Sequence, residues 1–131
     1  MKEAISTIVE NQNGDFLLHL RDGNASALKN QWCLVCGAVD PGEKPIETVK
    51  REIEEETSLK PESVKFVKNI TFRDTLFSIY HATINGSFND LKLGEGLEFK
   101  LENKDDTIDF LTTLEYTNPF LDLLKDFLKN R

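Results

Sequence analysis

The sequence is poor in cysteine and has no long hydrophobic run. Two cysteines in 131 residues cannot form the disulfide framework of a small secreted domain. No apolar segment approaches the ~20 residues that are needed to span a bilayer. The N-terminal residues MKEAISTIVE also lack the apolar region of a secretory signal. We therefore expect a cytoplasmic protein that works in a reducing environment and has no membrane partner.

Positive charge is also scarce. The chain has 16 Lys and Arg residues against 23 Asp and Glu residues, which gives a net charge of −7. Such a protein repels the phosphate backbone of long nucleic acids, so we expect no nucleic-acid partner of that kind. The hydrophobic content of 39% excludes a disordered chain, and the length fits one domain over residues 1–131.

Hydrophobic patterning and turn residues predict an α+β fold. Strands are predicted at residues 4–9, 16–20, 32–35, 64–71, 76–84 and 97–101. Turns are expected at Asn13-Gly14 and near Arg73-Asp74, and loops at residues 37–45 and 85–96. Helices are predicted at residues 45–57 and from Asn118-Pro119 onward. This order of elements indicates an α/β/α sandwich with a mixed β-sheet.

The helix at residues 45–57 carries the residues that could take part in catalysis or metal binding. Its apolar stripe consists of Ile46, Val49 and Ile53. Glu52, Glu55 and Glu56 share a second face, where like charges repel by about 0.2–0.5 kcal/mol per pair. A divalent cation would remove this repulsion, and carboxylate oxygens suit Mg²⁺ or Mn²⁺. The alternative is an acidic helix face that is simply solvated.

The segment around this helix resembles a known family motif. Residues 37–59 read GAVDPGEKPIETVKREIEEETSL and resemble the Nudix box, G-x5-E-x7-R-E-U-x-E-E-x-G-U, where U is a bulky aliphatic residue. The matching residues are Gly37, Glu43, Arg51, Glu52, Ile53, Glu55, Glu56 and Leu59. Ser58 departs from the motif, which has glycine there. The chain is thus similar to a small MutT-like member of the Nudix hydrolase superfamily.

This resemblance implies a metal-dependent pyrophosphohydrolase that cleaves nucleoside diphosphates linked to another group. It implies Mg²⁺ as the cofactor, with Mn²⁺ as a substitute. The implied metal ligands are Glu52, Glu55, Glu56 and the backbone carbonyl of Cys36. Arg51 would orient a glutamate of the motif, with Arg51 and Glu52 counted as catalytic, and Glu43 would act through water or hold the loop that starts at Gly37.

Four residues outside the motif are further candidates. Glu98 closes an EG-x-E segment similar to one that supplies a metal ligand or general base in MutT-like proteins, although a charged turn is the alternative. Arg21 is a candidate for phosphate contact, or else is solvated. Asn118 is a candidate for purine contact, or else serves only as a helix N-cap. Phe72 is a candidate for base stacking, although such aromatic residues also belong to cores.

The remaining signals concern the substrate. The proline expected ~15 residues beyond the motif for ADP-ribose is absent, and Tyr80 falls too late for a dinucleoside polyphosphate signature. Elimination favours nucleoside triphosphates, including modified ones, cleaved to monophosphate and pyrophosphate by a monomer or homodimer. The alternatives are a Nudix-fold nucleotide-binding or regulatory domain and an unrelated acidic interaction domain. Cys33 and Cys36 form a lone C-x-x-C that predicts neither zinc nor a redox enzyme.

Overall fold

The computed structural model describes residues 1–21, 23–24, 28–86 and 98–131. Within these ranges the chain forms seven strands and three helices. They are β1 (Lys2–Asn11), β2 (Asp15–Leu20), β3 (Trp32–Cys33), β4 (Val35–Ala38), α1 (Pro45–Thr57), β5 (Ser63–Phe72), β6 (Thr75–Ile84), β7 (Glu98–Asn103), α2 (Lys104–Thr113) and α3 (Pro119–Lys129). Among the helices so described, none is long and apolar enough to cross a membrane.

The sheet is mixed, and β1 is its central strand. β1 runs parallel to β6 along its whole length, from Lys2 opposite Thr75 to Asn11 opposite Ile84. On its other side β1 pairs antiparallel with β4 and, at its far end, with β2. β5 pairs with β6, while β3 and β7 pair with β2, all antiparallel. One parallel pair within an otherwise antiparallel sheet confirms the predicted mixed sheet.

Helices cover both faces of this sheet. Because side chains alternate along a strand, Ile5 and Val9 of β1 pack on the side of α1, against Val49 and Ile53. Ile8 points the opposite way and belongs to the core that α3 closes. That core also contains Phe16, Leu18, Leu34, Ile79, Leu111, Phe120, Leu121, Leu124 and Leu128. The predicted α/β/α sandwich is therefore confirmed.

Local signals in the sequence account for most element boundaries. α1 has the predicted bounds, with Pro45 at its first turn. The Asn13-Gly14 turn is confirmed, since Gly14 has φ +77° and its N–H donates to the Asn11 carbonyl. Arg73 and Asp74 both have positive φ, as a tight hairpin turn requires.

The structure differs from the sequence predictions in several details. The helix α2 was not predicted, because Lys104–Thr113 has few apolar residues and ends in two threonines. Its start is nevertheless encoded, since Asn103 caps it by accepting from the Asp106 N–H at 2.8 Å. The loop predicted at residues 37–45 begins later, because β4 extends to Ala38. Ile46 is 38% exposed and so does not join the buried stripe of α1.

Replacing Ser58 with glycine is expected to raise the free energy of unfolding by about 0.5–1 kcal/mol. Ser58 ends α1 in the left-handed region, with φ 63° and ψ 14°, which a side chain disfavours. Urea unfolding should show the gain. The control is Ser63→Gly, which places glycine in β5 and should lower stability. Equal changes in the two variants would contradict this account of Ser58.

Candidate active site

A cleft of about 570 Å³ opens at one edge of the sheet. β1 and β6 begin at this edge, whereas β2, β4 and β5 end there. The N-terminal residues of α3 and the second half of α1 complete the walls. Six of the predicted site residues line this one cleft, namely Arg21, Cys36, Gly37, Glu52, Glu56 and Phe72.

Two carboxylates of α1 form the acidic wall of the cleft. Glu52 and Glu56 are one helical turn apart, so both face the same way. Glu56 is 5% exposed, and its Oε2 lies 3.9 Å from Nε2 of His19 on β2. His19 also lines the cleft, although the sequence did not single it out as a site residue. Its position two residues before Arg21, near the end of β2, is the signal that could have found it, because residues two apart in extended chain point the same way.

Gly37 is required by a close approach of the α1 wall. A Cβ atom at this position would collide with the carboxylate of Glu52. Gly37 does not have a positive φ angle, so its backbone conformation is open to other residues. Glycine is needed here because of space alone. Gly37 therefore makes room for the Glu52 side chain at the point where β4 borders the cleft.

Arg51 organises the carboxylates beside the cleft. Its Nη1 donates to Oε1 of Glu52 at 3.0 Å and to Oε1 of Glu55 at 3.4 Å. Its Nε donates to Oε2 of Glu43 at 3.0 Å, and its Nη2 donates to the Ala38 carbonyl at 3.1 Å. The hydrogen bond to Glu43 is the main cause that raises the pKa of Arg51, and the negative charges of Glu52, Glu43 and Asp40 add to it. Arg51 thus makes the contact to Glu52 that its predicted orienting role requires.

Glu43 ties the loop before α1 to the helix. Its Oε1 accepts from the Thr48 hydroxyl at 2.6 Å and from the Asp40 N–H at 3.1 Å. Hydrogen bonds from Arg51 and then from Thr48 lower the pKa of Glu43 to about 2. Of the two predicted roles for Glu43, these contacts favour holding the loop.

The Glu43→Gln substitution is expected to destabilise the protein in a pH-dependent way. Because folding lowers the pKa of Glu43, its contribution is fully present above the ordinary pKa of about 4.3. It is lost as the pH falls toward about 2. Urea unfolding of both proteins at several pH values should therefore show a difference that shrinks under acid. The exposed Glu62→Gln is the control, and a pH-independent difference for Glu43→Gln would contradict the assignment.

Aromatic side chains form the opposite wall of the cleft. Phe72 and Phe77 both meet Phe120 edge-on, with ring centroids 5.7 and 4.8 Å apart. The guanidinium carbon of Arg73 lies 5.0 Å from the centre of the Phe72 ring. Among the described residues no carboxylate forms an ion pair with Arg73. The sequence analysis missed Phe77, Phe120 and Arg73 as site residues, because they come from three separate elements.

Cys36 also lines the cleft, and its thiol lies beside a second thiol, that of Cys33. Its Sγ lies 3.8 Å from Sγ of Cys33 and donates a hydrogen bond to Oγ of Ser6 at 3.2 Å. The hydrogen bond with Cys33 lowers the pKa of Cys36. The same bond, together with burial, raises the pKa of Cys33. The two thiols therefore form one interacting pair.

The other candidates lie beside the cleft and not in its walls, as far as the described residues show. Glu98 is exposed at the start of β7, opposite Leu20 of β2, and residues 93–97 of its predicted segment lie outside the described ranges. Asn118 is buried and caps α3, accepting from the N–H groups of Phe120 and Leu121. The Glu55 side chain is 56% exposed. The metal, base and purine contacts of these three residues stay predictions.

The donor chemistry of the cleft fits Mg²⁺ or Mn²⁺. Mg²⁺ is commonly held by one or two carboxylates, with water and substrate phosphates completing its shell. Glu52 and Glu56 supply two carboxylates, and Cys36 lines the same cleft. Over the described ranges no three His, Cys, Asp or Glu side chains converge on one point. Glu43 and Glu55 both accept hydrogen bonds from Arg51 beside the cleft, so Glu52 and Glu56 are the two carboxylates of this group in the cleft wall.

Solved structures of other proteins share this fold. The MutT protein of Methanosarcina mazei Go1 is 24% identical, with a TM-score of 0.68 over 98% of this chain and 94% of that chain. A MutT structure from work on Aliivibrio salmonicida and Vibrio cholerae is 16% identical, with a TM-score of 0.79 over 99% and 98%. A C. elegans Ap4A hydrolase is 21% identical, with a TM-score of 0.67 over 98% and 99%.

These identities are below 25%, so the structures establish the fold. No curated protein matches the sequence. A family model described as the NUDIX domain matches residues 2–106, which is most of the chain. Together with the hydrolase names of the structural neighbours, this match supports a hydrolase. The chain belongs to the Nudix family.

Proposed function

We propose that this protein is a metal-dependent pyrophosphohydrolase of nucleoside diphosphates linked to a further group. The favoured substrates are nucleoside triphosphates, including modified ones, which it would cleave to monophosphate and pyrophosphate. The main observation in support of this proposal is that Glu52 and Glu56 line the same cleft as a wall of phenylalanines. An acidic wall suits a cation that binds phosphates, and an aromatic wall suits a nucleobase.

Each wall has a separate task in this proposal. The base would stack near Phe72, which places its phosphates toward Arg21 and α1. Arg51 holds the Glu52 carboxylate in place through a 3.0 Å hydrogen bond, so that Glu52 can receive the proton of the attacking water. Glu98 is the other candidate for this proton. When bound, Mg²⁺ would neutralise phosphate charge and lower the pKa of the attacking water.

The charge of the protein makes a cation necessary for this reaction. A protein of net charge −7 must bind a polyanion beside two carboxylates. A divalent cation held by those carboxylates offsets the repulsion. We further propose that the protein acts in the cytoplasm as one domain, either as a monomer or as a homodimer. The names MutT and Ap4A hydrolase among its structural neighbours are consistent with small nucleotide substrates.

Replacing Arg73 with alanine is expected to raise KM about fivefold to tenfold while leaving kcat within about twofold. Arg73 lies against Phe72 at the mouth of the cleft, so it can hold a base against that ring. Steady-state kinetics on the best nucleotide would measure the effect. Lys68→Ala removes an exposed cation from β5, the strand that leads into the Arg73 turn, and serves as the control because Lys68 does not line the cleft. An unchanged KM for Arg73→Ala would remove Arg73 from the binding site.

A nucleotide-binding domain without hydrolysis is the alternative function. It is favoured by the way Glu43, Glu52 and Glu55 all bond to Arg51. Within the described ranges these carboxylates meet at a guanidinium and form no group of three that could hold a metal ion. Such a domain would bind nucleotide with metal but would release no product.

A substrate screen tests the proposed function directly. Nucleoside triphosphates, oxidised nucleotides, ADP-ribose, NADH, diadenosine polyphosphates and nucleotide sugars would each be assayed for phosphate release by coupled enzymes. Each assay would be run with Mg²⁺, with Mn²⁺ and with EDTA. Metal-dependent hydrolysis of triphosphates to monophosphate supports the proposal. A melting temperature that rises with Mg²⁺ and nucleotide, without any turnover, would instead support the binding domain.

A further inference from the structure

Two thiols lie close together where β3 passes into β4, and the proposed reaction uses neither side chain. Sγ of Cys33 is 3.8 Å from Sγ of Cys36. Cys33 is fully buried, whereas Cys36 lines the cleft. An S–S bond measures about 2.05 Å. The two sulfurs therefore need to approach by less than about 2 Å to form a disulfide.

A metal ion is a poor occupant for this thiol pair. A structural zinc site needs four ligands. Within the part of the chain that the structure describes, no third His, Cys, Asp or Glu side chain joins the pair in such a cluster. The other reaction open to two adjacent thiols is oxidation to a disulfide. In a cytoplasmic protein such disulfides are usually transient or regulatory.

We propose that Cys33 and Cys36 form a reversible disulfide, and that this bond weakens the binding of metal and nucleotide in the cleft. The inference about binding rests on the proposed function, whereas the disulfide itself does not. The oxidant is a peroxide such as hydrogen peroxide, and the reductant that reverses the reaction is a dithiol. The chain thus carries an oxidation site within its candidate active site.

The order of steps follows from exposure. Cys36 is the less buried of the two cysteines, and of the pair only Cys36 lines the cleft, so in this proposal its sulfur reacts with hydrogen peroxide first. The O–O bond breaks, and a sulfenic acid and one water form. The buried Cys33 sulfur then displaces the hydroxyl group, which leaves as a second water while the S–S bond forms. The two thiols lose two hydrogens in total, and the peroxide is reduced to two waters.

The bond would act on the cleft through the backbone. Cys33 pairs with β2 and Cys36 pairs with β1, so the disulfide joins two points on either side of the chain crossover at Leu34. Cys36 would also give up its 3.2 Å hydrogen bond to Ser6. The carbonyl of Cys36 is a predicted metal ligand, and the next residue, Gly37, packs against Glu52. A shift of Cys36 therefore moves both parts of the metal site.

The disulfide can be detected without any substrate. The purified full chain would be treated with diamide, an azo compound that takes up the two thiol hydrogens. It would then be denatured, alkylated and weighed by mass spectrometry. Oxidised protein should lack two hydrogens and resist alkylation, and dithiothreitol should restore both thiols. Fluorescence of Trp32, the single tryptophan and the neighbour of Cys33, should change in parallel. Failure of the intramolecular bond to form would overturn the proposal.

The effect on the cleft is measured on the same samples. Oxidation should raise the Mn²⁺ and ATP concentrations needed for a half-maximal rise in melting temperature by about tenfold. The control is Cys33→Ala, which keeps Cys36 but cannot form the bond, so diamide should leave its binding unchanged. Equal affinities of oxidised and reduced wild type would overturn the inference about binding. If the melting temperature of the reduced protein rises with neither Mn²⁺ nor ATP, both the proposed function and the inference about binding are overturned. The mass measurement would still show whether the disulfide forms.

Discussion

Replacing Glu56 with glutamine is expected to lower kcat/KM by about 10²–10³-fold. Glu56 is buried in the cleft wall, and its carboxylate lies 3.9 Å from His19. Glutamine has nearly the same size, so the packing of α1 is preserved. The amide lacks the negative charge that a divalent cation requires, and so the loss falls on the metal-dependent step.

Stability and metal response separate this effect from misfolding. Burying a charge is costly, so Glu56→Gln should unfold at the same urea concentration as the wild type or a higher one. Its rise in melting temperature with Mn²⁺ should be smaller than that of the wild type. Glu54→Gln makes the same change on an exposed position of α1 and should retain activity. Activity of Glu56→Gln within tenfold of the wild type would remove this carboxylate from the metal site.

The acidic half of the site was predictable because it is local in sequence. Glu52 and Glu56 are four residues apart on one helix, and helical geometry alone puts them on one face. The bounds of α1 follow from Pro45 at its start and from the left-handed Ser58 at its end. The apolar and β-branched residues between Ala4 and Val9 likewise predicted a strand, and the structure buries both faces of β1.

Of the aromatic half only Phe72 was predicted, because this wall is assembled from distant segments. Phe72, Phe77 and Phe120 come from β5, β6 and α3, and only the sheet register and the packing of α3 bring their rings within 6 Å. Arg73 reaches the cleft because a tight turn holds its backbone at the mouth. Neither fact has a periodic signature in the sequence.

Side-chain direction limited the predictions on α1 itself. Helical spacing put Glu55 on the acidic face, but its side chain is 56% exposed and bonds to Arg51. Arg51 in turn is positioned by Glu43, which lies eight residues earlier in a loop. Loop geometry of this kind depends on turns such as the one at Gly42, where φ is +81°. The sequence identified these residues as a set but not their mutual contacts.

Replacing Gly37 with alanine is expected to lower kcat by about 10²-fold, since a 1 Å displacement of a reacting group can cost that much. The new Cβ would collide with the Glu52 carboxylate, which also holds its 3.0 Å bond to Arg51. Relief of the collision moves Glu52 away from the metal site. The expected loss of stability is moderate, about 1–3 kcal/mol, as for other overpacked positions.

The matched control is Gly14→Ala in the turn between β1 and β2, at the end of the sheet opposite the cleft. Gly14 has φ +77° and no atom within 4 Å of its position for a Cβ, so alanine there strains the backbone without touching the site. That strain costs about 1–2 kcal/mol, which is similar to the cost expected at Gly37. Urea unfolding and steady-state kinetics on both variants should therefore show similar losses of stability but a loss of kcat only for Gly37→Ala. Parallel losses of kcat would mean that Gly37 supports the fold and not the position of Glu52.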